Sequence, residues 1–257
     1  MTMPQLELHD ANADAHADAR AAAAGGPAKR SYVQRIFSEI APRYDLLNRL
    51  LSGGIDRSWR RAAIAALGVG RRPRGTYLDL CAGTLDVGAA IVAIPGFRGH
   101  VVGADFAEPM LRAGRGKAPA AALTPVVADA LTLPLAESSC DGAIVAFGIR
   151  NVVDISDACR EVLRVLTPGG RFVVLEFSTP RSALVRWTYQ FYSRRVLPLV
   201  GALISGHPTA YRYLPDSIAQ FPGPEKLRAL MADAGFAEVS AASLTLGVAA
   251  IHVGVKR

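Results

Sequence analysis

Apolar positions recur at helical spacing near the start of the chain and at strand spacing after residue 74. Val33, Ile36, Phe37 and Ile40 form one stripe, which Pro42 interrupts. Leu46, Leu47, Leu50 and Leu51 resume the helical spacing until Ser52-Gly53-Gly54 stops it. Asp56 is then placed to cap a third helix that runs to Leu67 and closes at Gly68. Beyond Arg74 the pattern alternates. Tyr77–Leu80, His100–Asp105, Thr124–Ala128, Gly142–Phe147 and Arg171–Phe177 read as strands. Helical patterns lie between them: one carries Val87, Ala90, Ile91 and Ile94, one starts over Pro109–Lys117, and one spans Asp154–Leu166 and is closed by Pro168-Gly169-Gly170. Strand-then-helix repetition predicts a parallel sheet with right-handed crossovers, and the almost wholly apolar Arg171–Phe177 is expected at its centre. The end of the chain differs. Phe236–Leu244 and Val248–Val255, joined by a turn at Gly247, predict an antiparallel pair at one edge of the sheet.

Residues 1–29 are rich in Ala, Asp and Gly and have little to bury, so they read as a flexible tail. Residues 30–257 form one domain in this reading, with a helical cap over 30–70 and an inserted lid over 181–222. The hydrophobic fraction of 51% supplies a sizeable core, and a formal net charge of +7 favours an anionic partner without choosing one. Three cysteines with no CxxC or Cys/His spacing argue against a disulfide framework or a zinc site, and no metal is expected. No apolar run approaches the roughly 18–20 residues that span a bilayer. Glu7, Asp10, Asp14 and Asp18, with no apolar run among them, fit neither a secretory nor a transit signal. The expectation is a cytoplasmic protein.

Ligands of an open parallel sheet collect at the carboxyl ends of its strands. The first strand leads from Asp79 into Gly83-Thr84-Leu85-Asp86, where Gly83 permits a tight turn and close backbone approach. The second ends in Asp105, 22 positions after Gly83, where a carboxylate can accept from both hydroxyls of a ribose. The third is followed by Asp129-Ala130, placed for an exocyclic adenine amine. A dinucleotide pyrophosphate calls for G-x-G-x-x-G, and only one of those glycines is present. S-adenosylmethionine, a nucleoside ligand with no phosphate, does not need the others. Singly, Gly83 can be an ordinary βα turn and Asp105 a helix cap; the ordered set at successive strand ends is the stronger signal.

Several stretches lie outside what such a cofactor fold requires: Ile40-Ala41-Pro42-Arg43-Tyr44-Asp45-Leu46-Leu47-Asn48, Phe147-Gly148-Ile149-Arg150-Asn151-Val152, Leu175-Glu176-Phe177-Ser178, Phe191-Tyr192-Ser193 and Tyr211-Arg212-Tyr213-Leu214-Pro215-Asp216-Ser217-Ile218. With them the chain, from about Val33 onward, closely resembles the ubiquinone/menaquinone biosynthesis C-methyltransferases, the UbiE/MenG family. The resemblance implies a class I, Rossmann-like S-adenosylmethionine methyltransferase fold. It also implies a membrane-visiting enzyme that methylates a ring carbon of demethylmenaquinol or of the analogous ubiquinone precursor. Cofactor contacts would fall on Thr84, Asp105, Asp129 and Ala130, joined by Gly83 and Asp79 from the strand-end reading. Two positions depart from the family pattern. Leu85 replaces the second glycine of a Gly-Thr-Gly-Asp turn and stands to narrow the pocket at the cofactor's amino-acid end. Ala146 stands where some members carry a serine that would offer a hydroxyl contact.

A methyl sulfonium has a neutral leaving group, so the protein must bring an electron-rich carbon to the methyl and exclude water. Arg150 and Asn151, following the fourth strand, are candidate catalytic residues: a fixed cation for a developing phenolate and a group that orients its oxygen. A loop salt bridge and a helix cap are their alternative readings. Tyr44, with Asp45, is a third candidate that would close over the cofactor, against a reading as helix packing. Over 181–212, Arg181, Arg186, Arg194, Arg195 and Arg212 occur without one acid among Trp187, Tyr189, Phe191, Tyr192 and aliphatic residues. This suits a lid for an isoprenoid tail resting on anionic lipid at the inner face of the cytoplasmic membrane. A solvated cap helix and an RNA face are the competing readings. Lipid-friendly interleaving, and the lack of an Asn-Pro-Pro-Tyr-like tetrad or recognition domain, count against nucleic acid; other O- or N-methyl transfer is the enzymatic alternative. A homo-oligomer is compatible with the sequence.

Overall fold

The computed structural model describes residues 27–41, 44–45, 52–180, 182–191, 195 and 208–257, and no side chain among 27–28, 208–212 or 214. Among them one mixed sheet is built from β1 (Thr76–Leu80), β2 (His100–Asp105), β3 (Leu123–Val127), β4 (Cys140–Ala146), β5 (Leu166–Phe177), β6 (Ala237–Leu244) and β7 (Ala249–Val255). Its order is β3-β2-β1-β4-β5-β7-β6. The first five strands run parallel and β7 is antiparallel to both β5 and β6, so the C-terminal pair forms the expected edge. Strand order reverses between β1 and β4, which fixes where a ligand crevice must open.

The apolar runs are continuous because both faces of the sheet are covered. Leu78, Leu80, Val145, Phe172 and Val174 pack on one face with Ala158, Cys159 and Val162 of α5 (Ile155–Val165) and Leu227 and Met231 of α8 (Pro224–Asp233). Their neighbours Tyr77, Ile144, Val173 and Leu175 face the other side. They meet Trp59, Ala63, Ile64 and Leu67 of α2 (Ile55–Leu67) and Val87 and Ile91 of α3 (Asp86–Val92). Alternation with period two along each strand is what assigns neighbours to opposite layers. The remaining helices are α1 (Pro27–Ile40), α4 (Glu108–Gly114), α6 (Ala183–Phe191) and α7 (Pro208–Gln220).

Three local expectations are corrected. The segment read as tail through residue 29 is helical from Pro27, a residue whose fixed φ suits a first helical position, and Lys29 is buried. The α5 helix ends at Val165, within one residue of the expected Leu166, but Pro168-Gly169-Gly170 are not what closes it. Thr167 precedes a proline and is pushed extended, so Leu166 already pairs with Cys140 and Pro168-Gly169-Gly170 lie inside the irregular start of β5. Asp56 does not cap α2; it sits in the first turn, accepting from the Ser52 hydroxyl at 2.7 Å, while left-handed Gly54 precedes the helix. Leu46, Leu47, Leu50 and Leu51 lie outside the described residues, as do residues 1–26.

Candidate active site

The carboxyl ends of β1, β2 and β4 open into a cleft at the switch point. Gly83, Asp105, Asp129, Ala130, Ala146, Phe147, Asn151, Val152 and Tyr44 are among the groups lining it. Its cofactor half is shaped by backbone amides. Asp105, 7% exposed, accepts from Gly83 N and Ala107 N, each at 2.8 Å, one on either oxygen. Burial raises its pKa, and the amides of Ala107, Gly83 and Phe106 oppose that rise. Lone pairs remain on both oxygens for a ligand's hydroxyls. Gly83 has φ +52, and a Cβ there would lie 3.3 Å from Met110 Cε; the turn stays open only without a side chain. Asp129 accepts from Leu131 N at 3.0 Å and meets the Arg30 guanidinium of α1 at 3.2 Å. A buried carboxylate at the end of β2, a side-chain-free turn beside it and a second carboxylate after β3 fit the ribose and adenine of S-adenosylmethionine.

Two expected cofactor residues do not reach the cleft. Asp79 is buried behind it and holds the start of α3 through Gly88 N at 2.8 Å; burial first of all drives its pKa up to about 7. Thr84 turns its hydroxyl to Asp45 Oδ1 at 2.5 Å. Asp45 also pairs with Lys117, which bridges to Asp86 at 2.6 Å, tying the segment after α1 to the turn. Leu85 does not narrow the pocket. It is left-handed (φ 64) and buried, and its side chain runs the other way, into space that Gly103 and Gly114 leave empty; a Cβ on Gly103 would collide with it.

The other half of the cleft is made of side chains from distant elements. Asn151 lines the cleft, and its Oδ1 accepts from Tyr213 of α7 at 3.1 Å. Tyr44 also lines it, edge-on to Phe37 with ring centres 5.9 Å apart. Arg150 is corrected. It is not a cleft-facing cation but a buried one, donating to Glu176 Oε1 at 2.8 Å and to the Phe147 carbonyl, with Phe177 at 5.5 Å beneath it. Burial works to lower its pKa, and the Glu176 carboxylate overrides that and holds it raised. The guanidinium therefore stiffens the 149–151 turn and places positive charge behind Asn151. Lys29, Glu176 and Tyr213 were not among the candidates. An acid in the otherwise apolar Leu175–Phe177 run was a signal for a buried cation nearby, since an unpaired charge is not left in a core. Lys29 carried no such signal.

The fold and cleft define a class I methyltransferase. The chain belongs to the ubiE/COQ5 methyltransferase family, whose model matches residues 26–256. It is 52% identical over 222 residues to a demethylmenaquinone methyltransferase of Thermus thermophilus, covering 85% of this chain and 99% of that protein. It is 44% identical over 232 residues to a ubiquinone/menaquinone biosynthesis C-methyltransferase UbiE of Geotalea daltonii, covering 89% and 97%. Among solved structures, an S-adenosylmethionine-dependent methyltransferase of Thermotoga maritima superposes with a TM-score of 0.62 at 20% identity, over 87% of this chain and 99% of that one. One of Methanococcus maripaludis does so at 0.56 and 14%, over 85% and 93%; both likenesses are of fold.

Proposed function

We propose that the protein transfers a methyl group from S-adenosylmethionine to a ring carbon of demethylmenaquinol, with the methoxybenzoquinol precursor of ubiquinone as a second acceptor. The observation that carries this reading is one cleft joining the Asp105–Asp129 carboxylates to a wall at Asn151 backed by a buried guanidinium, in a chain of this family. Asp105 takes the ribose hydroxyls, and Asp129 with Ala130 takes the adenine. The cofactor, when bound, supplies a methyl on a sulfonium. Asn151, fixed by Tyr213, orients the ring oxygen, and Arg150 acts through it, favouring negative charge on that oxygen from behind the wall. Phe37, Tyr44 and Phe147 exclude water.

Peripheral contact with anionic lipid belongs to the same reading. No described helix is long and apolar enough to cross a membrane. Leu184, Trp187 and Phe191 of α6 are 72%, 65% and 56% exposed at a spacing that puts them on one face, where Trp187 and Phe191 stack on each other with ring centres 6.1 Å apart. Arg195 is exposed, while Arg181, Arg194 and the Arg212 side chain lie outside the described residues. The test is a single-turnover assay with demethylmenaquinol in anionic vesicles, with the product read by mass spectrometry. One added methyl, faster in anionic than in neutral vesicles, is expected. No methyl on either ring type would overturn the reading; equal rates in both vesicles would remove the membrane part alone.

A further inference from the structure

Behind the Asn151 wall, formal charge is carried by three buried side chains from separate elements: Lys29 in α1, Arg150 in the turn after β4 and Glu176 in β5. Their neighbours on α7, on α1 and on the segment after it, and on β1's end are Tyr213, Tyr32, Tyr44 and Cys81, which bring hydroxyls and a thiol. Arg150 and Glu176 pair through Nη1, and Arg150 Nε has no partner among the described residues. Lys29, a buried residue, has no carboxylate partner among the described residues; its Nζ donates at 2.9 Å to the backbone carbonyl of Val152, the residue after Asn151. Burial, and then the Arg150 charge, push its pKa down. Within this trio two cations accompany one carboxylate, and a proton on Glu176 would only enlarge the excess; Asp105 and Asp129, the latter paired with Arg30, line the cleft itself, and with Asp79 they act on Cys81. A net positive charge out of water is costly until an anion arrives beside it.

We infer that Lys29 is a positioning residue for methyl transfer: held on the Val152 carbonyl, its ammonium makes the buried cluster net cationic, so a ring hydroxyl at Asn151 is bound as the phenolate. With the phenolic proton given up to solvent, electron density rises at the adjacent ring carbon. That carbon bonds to the methyl as the methyl–sulfur bond breaks and its electron pair stays on the sulfur, which leaves neutral. Loss of the ring carbon's own proton to solvent restores the aromatic ring. The inference rests on the quinol reading above and adds to it a residue that does not line the cleft. Its acceptor geometry matters as well as its charge, because the carbonyl it holds is one peptide away from the residue that touches substrate.

The experiment compares the full-length protein with Lys29→Met and Lys29→Arg. In single turnover on demethylmenaquinol, Lys29→Met should be about tenfold slower at neutral pH, with the acid limb of its pH profile displaced upward by about one unit. KM for the cofactor should stay within about threefold, and Lys29→Arg should bring the limb back toward the parent. A nitronaphthol, whose absorbance reports ionisation, gives a second readout independent of turnover. Bound to the parent it should ionise at a lower pH than in water, and about one unit less so in Lys29→Met. A slower Lys29→Met with an unmoved acid limb and unchanged nitronaphthol ionisation would overturn the inference and leave a structural lysine. Absence of methyl transfer to any quinol by the parent would instead overturn the reading on which it rests.

Discussion

The two halves of the cleft are held by different kinds of contact. On the cofactor side each carboxylate is gripped by amides close in sequence: Asp105 by Ala107 N two residues on, Asp129 by Leu131 N two residues on, Asp79 by Gly88 N nine residues on. On the substrate side the partners are 26, 62 and 123 residues apart, in the pairs Arg150–Glu176, Asn151–Tyr213 and Lys29–Val152. Turns build much of the first half, one βα unit brings Gly83 N to Asp105, and Arg30 of α1 reaches Asp129. The second exists only once α1 and α7 dock on the sheet, so it is where stability, docking and chemistry are coupled.

The sharpest way to break this contrast is to remove the carboxylate that balances the substrate half. Glu176→Ala leaves Arg150 buried without its partner, a change that typically costs about 3–5 kcal/mol. A fall of roughly ten degrees or more in the unfolding midpoint is expected for a domain of this size. A midpoint within two or three degrees of the parent would mean that the pair contributes little to the fold.

The cofactor half should respond to pH instead. The Asp79 carboxyl, raised from 3.8 to about 7, binds its proton more tightly in the folded protein than in the unfolded chain. Its contribution to stability is therefore complete below about pH 4 and is lost as the pH rises through about 7, a difference on the order of 4 kcal/mol. Asp79→Asn keeps an acceptor for Gly88 N and removes the titration. Denaturant midpoints of the variant should be flatter between pH 4 and 7 than the parent's. Parallel curves would refute the assignment.

How much of each half could be read from the sequence follows from the same difference. His100–Asp105 and the edge pair were legible because apolar alternation and turn residues are local signals. So was the placing of Gly83 and Asp105 at successive strand ends, a spacing set by one βα unit; the bond between them was not. Arg150 stands out in the sequence, but its direction does not: a residue at the mouth of a strand reads as cleft-facing until its partner, 26 positions on, is placed. Lys29 was assigned to a tail because nothing near it in the chain demands burial; its acceptor is a carbonyl 123 residues away. Leu85 was expected in the pocket because sequence gives a position without a direction. The left-handed backbone turns the side chain toward Gly103 and Gly114.

A smaller and cleaner comparison is offered by Asp105→Ala. Removing an ionic acceptor for two ribose hydroxyls should weaken cofactor binding by roughly 1.5–3 kcal/mol, about ten- to a hundredfold. Calorimetry on the folded variant checks it, and an affinity within threefold of the parent would take the ribose away from Asp105. Turnover at saturating cofactor should change less than affinity, since the lost contact is made in ground and transition state alike.

The smallest change is expected from Tyr213→Phe, and it probes the other half alone. The ring stays, so its packing against Tyr32, with centres 5.6 Å apart, is kept, and only the hydroxyl that donates to Asn151 is lost. Because the donor and its acceptor are both buried, about 1 kcal/mol is at stake, seen as a drop of severalfold in turnover rather than a collapse of the fold. The direction is the informative part. If Tyr213 only fills space, Phe should be neutral in both affinity and turnover. If it sets Asn151, turnover on the quinol should fall while cofactor affinity stays within about threefold. A loss confined to cofactor affinity would mean that the two halves are not separable, and that α7 supports the nucleotide end of the cleft as much as the ring end.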